Sequence, residues 1–121
     1  MKRNYDLIRD ILVAVEQRAD GDHVIALKTQ DFTDRFPAII PVELNEHIQM
    51  LAEHGFIDAE PHQLGWFILR LTWSGHDFIE QSREATVWAK VKHFAGHLNL
   101  DAFASVLKEN AVAYAKSCAG L

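Results

Sequence analysis

Glu43, Asn45, Glu46, Gln49 and Glu53 carry the side chains of a recognition surface within one short stretch. At helical period they project away from Leu44, Ile48 and Leu51, so a helix that buries those three turns the polar five outward, with Met50 among them. Asn and Gln amides suit paired hydrogen bonds to adenine in a major groove. Three carboxylates with no Lys or Arg on the same helix repel the flanking phosphates and suit a basic protein instead. A protein-contact face is the favoured reading, ahead of direct DNA reading and of a plain solvated surface.

Seven histidines raise the question of a metal. His93 and His97 stand four apart, a chelating spacing on one helical face, but two imidazoles fall short of the three or four ligands a zinc site needs. Phe94 stands where a metalloprotease helix carries its glutamate. No metal and no cofactor is expected. His47, on the apolar side of its helix, is expected to be packed or hydrogen-bonded, and His76 to lie in a first helical turn. Three tryptophans suggest a platform for unpaired bases. Trp73 and Trp88 fall on apolar faces and are expected in the core; Trp66, beside a hairpin tip, is the exposed candidate and joins the partner-binding set. No GxSxG, phosphate-binding loop, dinucleotide fingerprint or HExxH occurs, so the chain is not expected to be an enzyme.

The elements that position these residues follow from periodicity. Asn4 is an N-cap with Asp6 in the first turn, and Leu7, Ile8, Ile11, Leu12 and Val15 form one apolar stripe. Asp20-Gly21-Asp22 ends that helix. A short strand over His23–Leu27 and a short helix over Asp31–Phe36 come next, the latter closed before Pro37. Pro41 opens the helix Val42–His54; Gly55 ends it, and Phe56 makes the apolar contact after the glycine cap.

Phe56–Glu60 and Trp66–Thr72 read as two strands turning through Pro61–Gly65. In Leu69–Trp88 (LRLTWSGHDFIEQSREATVW), Leu69, Leu71 and Trp73 alternate as the buried face of a strand that runs into a helix. Ser74 is the expected N-cap, and Trp73 and Phe78 the expected staple. That helix runs to about Phe94, its apolar side marked by Phe78, Ala85, Trp88, Val91 and Ala95, with Thr86 a cap if it breaks. Gly96–Asn99 is a joint, and Leu100–Cys118 a last helix with Phe103, Leu107, Ala111 and Tyr114 in line. Helix, hairpin and following helix make a winged-helix layout, with the hairpin as wing and Val42–His54 in the recognition position.

RLTWSGHDFIEQSREATVW, the opening MKRNYDLIRDILVAVE and the central ELNEHIQMLAEHGFI together resemble the family called domain of unknown function 2513, often borne by phages or prophages. The likeness runs from about Met1 to Phe94. It is most specific in Arg70–His76 and in the run from His47 to Leu51, and it picks out His47 and His76. The resemblance implies a winged-helix-like fold and no established activity.

At 121 residues and 49% hydrophobic content, the chain is expected to form one domain with a real core. Net charge is −5. Residues 1–60 hold twelve acidic and six basic side chains, whereas 61–121 hold five and six. The acidity lies in the half with the recognition-type helix, which counts against simple duplex binding. The lone Cys118 excludes an internal disulfide. No apolar run reaches the roughly 20 residues that span a bilayer, and Asp6, Arg9 and Asp10 interrupt any leader-like core. A cytoplasmic, soluble protein without membrane contact is expected.

The expected fold is mostly α with a small antiparallel β-hairpin: a winged helix-turn-helix-like core over 1–73, with C-terminal helices over 74–121 packed on it. The expected function is a non-enzymatic binding module, phage- or prophage-derived by resemblance, that sets an acidic face against a basic protein such as a host or defence protein. The alternative is a DNA-binding regulator, dimeric through the last helix, reading with Asn45 and Gln49 and gripping phosphates with Lys2, Arg3, Lys28, Arg35 and Arg70.

Overall fold

The computed structural model describes residues 3–18, 27–28, 36–62 and 65–118, with the backbone alone at 18, 27, 28 and 62. Among them run α1 (Tyr5–Arg18), β1 (Leu27–Lys28), α2 (Pro41–Glu53), β2 (Ile57–His62), β3 (Gly65–Leu71), α3 (Trp73–Gln81), α4 (Ala85–Ala95) and α5 (Leu100–Cys118). The protein is mostly helical with an antiparallel hairpin, in a winged-helix-like arrangement. It divides into two compact units, Met1–His76 and Asp77–Leu121.

In the first unit, Asn4 caps α1 by accepting a hydrogen bond from the Leu7 N–H at 3.0 Å. Leu7, Ile8, Ile11, Leu12 and Val15 are all buried, as their spacing predicts. Each such side chain contributes about 1.5–3 kcal/mol by leaving water. α2 opens on Pro41 and buries Leu44, His47, Ile48 and Leu51. It ends in a Schellman motif: Gly55 takes φ +79°, its N–H donates to the Ala52 carbonyl, and the Phe56 N–H donates to Leu51 at 2.9 Å. Phe56 is buried, as a residue after such a cap should be.

The sheet is three-stranded in the order β1-β3-β2, antiparallel throughout. The expected strand over His23–Leu27 lies outside the described residues except at Leu27, where Leu27–Lys28 pairs with Phe67–Ile68. The expected helix over Asp31–Phe36 also lies outside them, apart from Phe36. The hairpin pairs further toward its tip than expected, through Pro61↔Trp66 and His62↔Gly65. Proline is tolerated there because β2 is an edge strand, whose outer side needs no ladder hydrogen bonds.

The alternation expected for β3 is broken. Asp58 pairs with Arg70 and the next residue, Ala59, pairs with Ile68, so Leu69 is an extra residue: a β-bulge. The phase slips by one. Ile68 and Leu71 are buried, Leu69 is half-buried, and Trp73 is 85% exposed instead of lying in the core.

In the second unit the helix expected to reach Phe94 is interrupted between Gln81 and Ala85. Ser82 is buried there and donates to the Ile79 carbonyl at 2.8 Å. The break is capped by Glu84, which accepts from the Thr86 N–H at 2.8 Å, so the acid takes the capping role considered for Thr86. The interruption also rephases the apolar side, and Ile79 and Val87 are buried while Ala85 is exposed. Phe78, Trp88 and Phe103 form the aromatic centre. Trp88 meets Phe78 and Phe103 edge-on, at centroid distances of 5.9 and 5.7 Å. That T-shaped geometry sets positive ring edges against negative faces. Asn99 caps α5 by accepting from the Ala102 N–H. Leu100, Phe103 and Leu107 are buried, while Ala111 is half-buried and Tyr114 exposed.

Candidate functional site

The outer face of α2 is built as its sequence requires. Because Leu44, His47, Ile48 and Leu51 are fully buried, Glu46, Gln49 and Glu53 are exposed, and Glu43, Asn45 and Met50 are half-buried at the margins. No Lys or Arg lies between Pro41 and Glu53. At the start of the helix Ile40 and Val42 are each 64% exposed, an apolar pair beside the acids that periodicity did not single out.

The two amides are not equally presented. Gln49 Nε2 donates to Glu53 Oε1 at 2.9 Å, one helical turn on. Asn45 Oδ1 is buried and has no hydrogen-bond partner among the described residues. Adenine recognition uses both the oxygen and the nitrogen of an amide, so a reader would have to turn Asn45 and release Gln49.

His47 is a structural residue. Its Nε2 accepts from the Asn4 N–H at 3.0 Å, which leaves the proton on Nδ1, the donor to the Glu43 carbonyl at 2.7 Å. The backbone N–H of the α1 cap is thus held by a side chain from α2.

The second feature is the corner where β3 enters α3. Thr72, not Ser74, is its N-cap: Thr72 Oγ1 accepts from the Gly75 N–H at 3.2 Å, and the Thr72 carbonyl receives the His76 N–H. The hydroxyl proton goes to the Gly55 carbonyl at 2.6 Å, and the Thr72 N–H goes to the Phe56 carbonyl. Leu71 keeps the burial that the alternation predicts, so it is the start of the helix directly after Thr72, and not the bulge, that turns position 73 outward. A side chain on Gly75 would place its first carbon 2.2 Å from the Phe56 oxygen, so this position is closed to anything larger than hydrogen. With α3 starting at Trp73, the indole is the first helical side chain and points to solvent, so the expected staple with Phe78 does not form. Its ring centroid lies 6.0 Å from that of the exposed His76.

Trp73 and His76 line a surface cleft of about 390 Å³ together with Asp58, Arg70, Leu71 and Thr72. Arg70 and Asp58 are cross-strand partners, and the Arg70 Nε donates to the Asp58 carboxylate, with Arg70 largely in water and Asp58 half-buried. Among the other candidates, Trp66 is half-buried in β3 opposite Pro61, and Arg3 is exposed. Lys28 is described by its backbone alone, in β1, and Lys2 and Arg35 lie outside the described residues.

His93 is exposed on α4, but His97 follows the end of that helix at Ala95, so the two do not share a helical face. Among the described residues no group of three or more His, Cys, Asp or Glu side chains is placed to hold a metal ion. Nor is any helix among them long and apolar enough to cross a membrane.

Comparison with known proteins gives an uncharacterized protein of Haemophilus influenzae, 28% identical over 113 residues, which cover 90% of this chain and 91% of that one. No solved structure matches. The family described as "Hypothetical protein (DUF2513)" matches residues 2–99, a span that includes the capped start of α1, the α2 face and the Thr72 corner, and the chain belongs to that family.

Proposed function

We propose that the chain is a non-enzymatic binding module that docks the outer face of α2 on a basic protein. One observation carries this reading. The exposed Ile40 and Val42 stand at the start of a helix that carries Glu43, Glu46 and Glu53 and no Lys or Arg. Exposed apolar side chains next to charged ones suit a protein interface, whereas the same acids oppose phosphates. The inward Asn45 oxygen and the Gln49–Glu53 hydrogen bond also favour a protein partner over base reading. A phage or prophage setting would supply host or defence proteins with basic, nucleic-acid-binding surfaces as partners. The competing reading is a dimeric DNA-binding regulator that reads with Asn45 and Gln49.

Mobility shift with a labelled pool of random duplexes separates the two. The wild type is expected to leave the pool unshifted at near-physiological salt. Glu46→Lys combined with Glu53→Lys is expected to gain non-specific binding at low salt that fades as salt rises, because repulsion from the phosphates is reversed. Both positions are exposed, so the fold tolerates the change. Selection of one sequence from the pool by the wild type at nanomolar affinity, lost in Asn45→Ala and Gln49→Ala, would overturn the protein-binding reading.

A further inference from the structure

We propose that Trp73 is the anchor for an arginine or lysine side chain of the partner, received on the indole face in the cleft between Asp58, Arg70 and His76; this rests on the reading that the partner is a basic protein. The indole is 85% exposed and has the His76 ring as an aromatic neighbour. The backbone that carries it is nevertheless held firmly. Thr72 uses its hydroxyl twice and its N–H once to tie the corner to Gly55, Phe56 and Gly75, and the Gly75–Phe56 approach leaves no slack. A large, two-torsion aromatic side chain on a rigid backbone has less freedom to lose on binding than one on a mobile loop, and such residues serve as interface anchors.

The charge pattern selects the occupant. Asp58 and Arg70 neutralise each other across the hairpin, so the ion pair gives the cleft no net sign. The indole face is negative by its quadrupole and is the strongest aromatic acceptor for a cation. The acidic face of α2 is joined to the same corner. Glu53 closes that helix two residues before Gly55, whose carbonyl accepts the Thr72 hydroxyl. Glu53 is thus the α2 acid nearest in sequence to the corner that carries Trp73, and a basic segment drawn to it can extend onto the ring. Capture on the ring is short-range and water-excluding, whereas steering by exposed carboxylates is long-range and screened by salt.

The test is fluorescence anisotropy of a labelled ten-arginine peptide titrated with the full chain at low and near-physiological salt. Trp73→Ala is expected to weaken binding about 10-fold at both salts, and Trp73→Phe about 3-fold, in line with the weaker ring. Glu46→Lys with Glu53→Lys is expected to lose affinity chiefly at low salt. Thermal melts matching the wild type establish that the Trp73 variants are folded. If Trp73→Ala binds like the wild type while the double charge reversal does not, the anchor is wrong and the acidic-face reading stands. If the wild type ignores the peptide, both fall. If an oligothymidylate binds more tightly than the peptide and Trp73→Ala abolishes it, the ring serves unpaired bases and the proposal is overturned.

Discussion

His47 accepts the backbone N–H of Asn4 on its Nε2, across forty-three positions of sequence. Asn4 is itself the cap of α1, and in a capping box its N–H would be taken by the third helical residue. Here that residue is Leu7, which has no acceptor to offer, and α2 supplies one instead. His47→Phe keeps an aromatic ring, a somewhat larger one, but leaves the Asn4 N–H and the Glu43 carbonyl without this partner. It should cost about 1–3 kcal/mol in urea unfolding, the penalty for an unmet buried polar group. His47→Gln, which still offers an acceptor, should recover part of that. A loss below about 0.5 kcal/mol for His47→Phe would show that the tie contributes little.

The corner makes a prediction of relative order. Thr72→Val removes the N-cap acceptor and the donor to Gly55, and should destabilise by about 1–2 kcal/mol. Ser74→Ala and Trp73→Ala alter exposed side chains and should each stay within about 0.5 kcal/mol of the wild type. Denaturant midpoints check the ranking. If Ser74→Ala costs more than Thr72→Val, the cap has been assigned to the wrong residue.

Tyr5 sets an alkaline limit. Burial disfavours its phenolate and raises its pKa above the ordinary 10.0, with Arg3 opposing. The stability contributed by the neutral phenol is complete below the unfolded value of 10.0 and is lost as pH climbs through the higher folded pKa. Wild-type stability should therefore fall more steeply above about pH 10 than that of Tyr5→Phe, the difference approaching about 1.4 kcal/mol per pH unit. Tyr114, raised chiefly by its hydrogen bond with Cys118, is present in both proteins and cancels. Parallel stability–pH curves would show that Tyr5 ionises without cost.

What was legible in the chain and what was not divide along a physical line. The α1 stripe and the Pro41-to-Gly55 helix were readable because cap, period and terminating glycine agree within one element. Thr72 was missed because its role depends on Gly55 and Phe56, residues distant in sequence. The bulge at Leu69 carries no local signal, since a leucine in a run of strand-formers looks the same in register or out of it. Trp73 is expected in the core because the strand alternation is carried two residues past Leu71, where the helix has already begun. A count that placed Thr72 at the cap would have put the indole at the first helical position, in water. The break before Glu84 was hard to see for a related reason: neither glycine nor proline marks it, and its buried serine is a tertiary choice.

The corner is fastened by backbone groups, one threonine hydroxyl and one missing β-carbon, and by none of the side chains at positions 73, 74 and 76. Folding therefore places few demands on those three positions. Losses at Thr72 and Gly75 lower stability, whereas on the proposed reading a loss at Trp73 alters binding and leaves abundance unchanged. On that reading a survey of substitutions along positions 72–76 would split into two populations, one detected by proteolysis and solubility and the other only by binding.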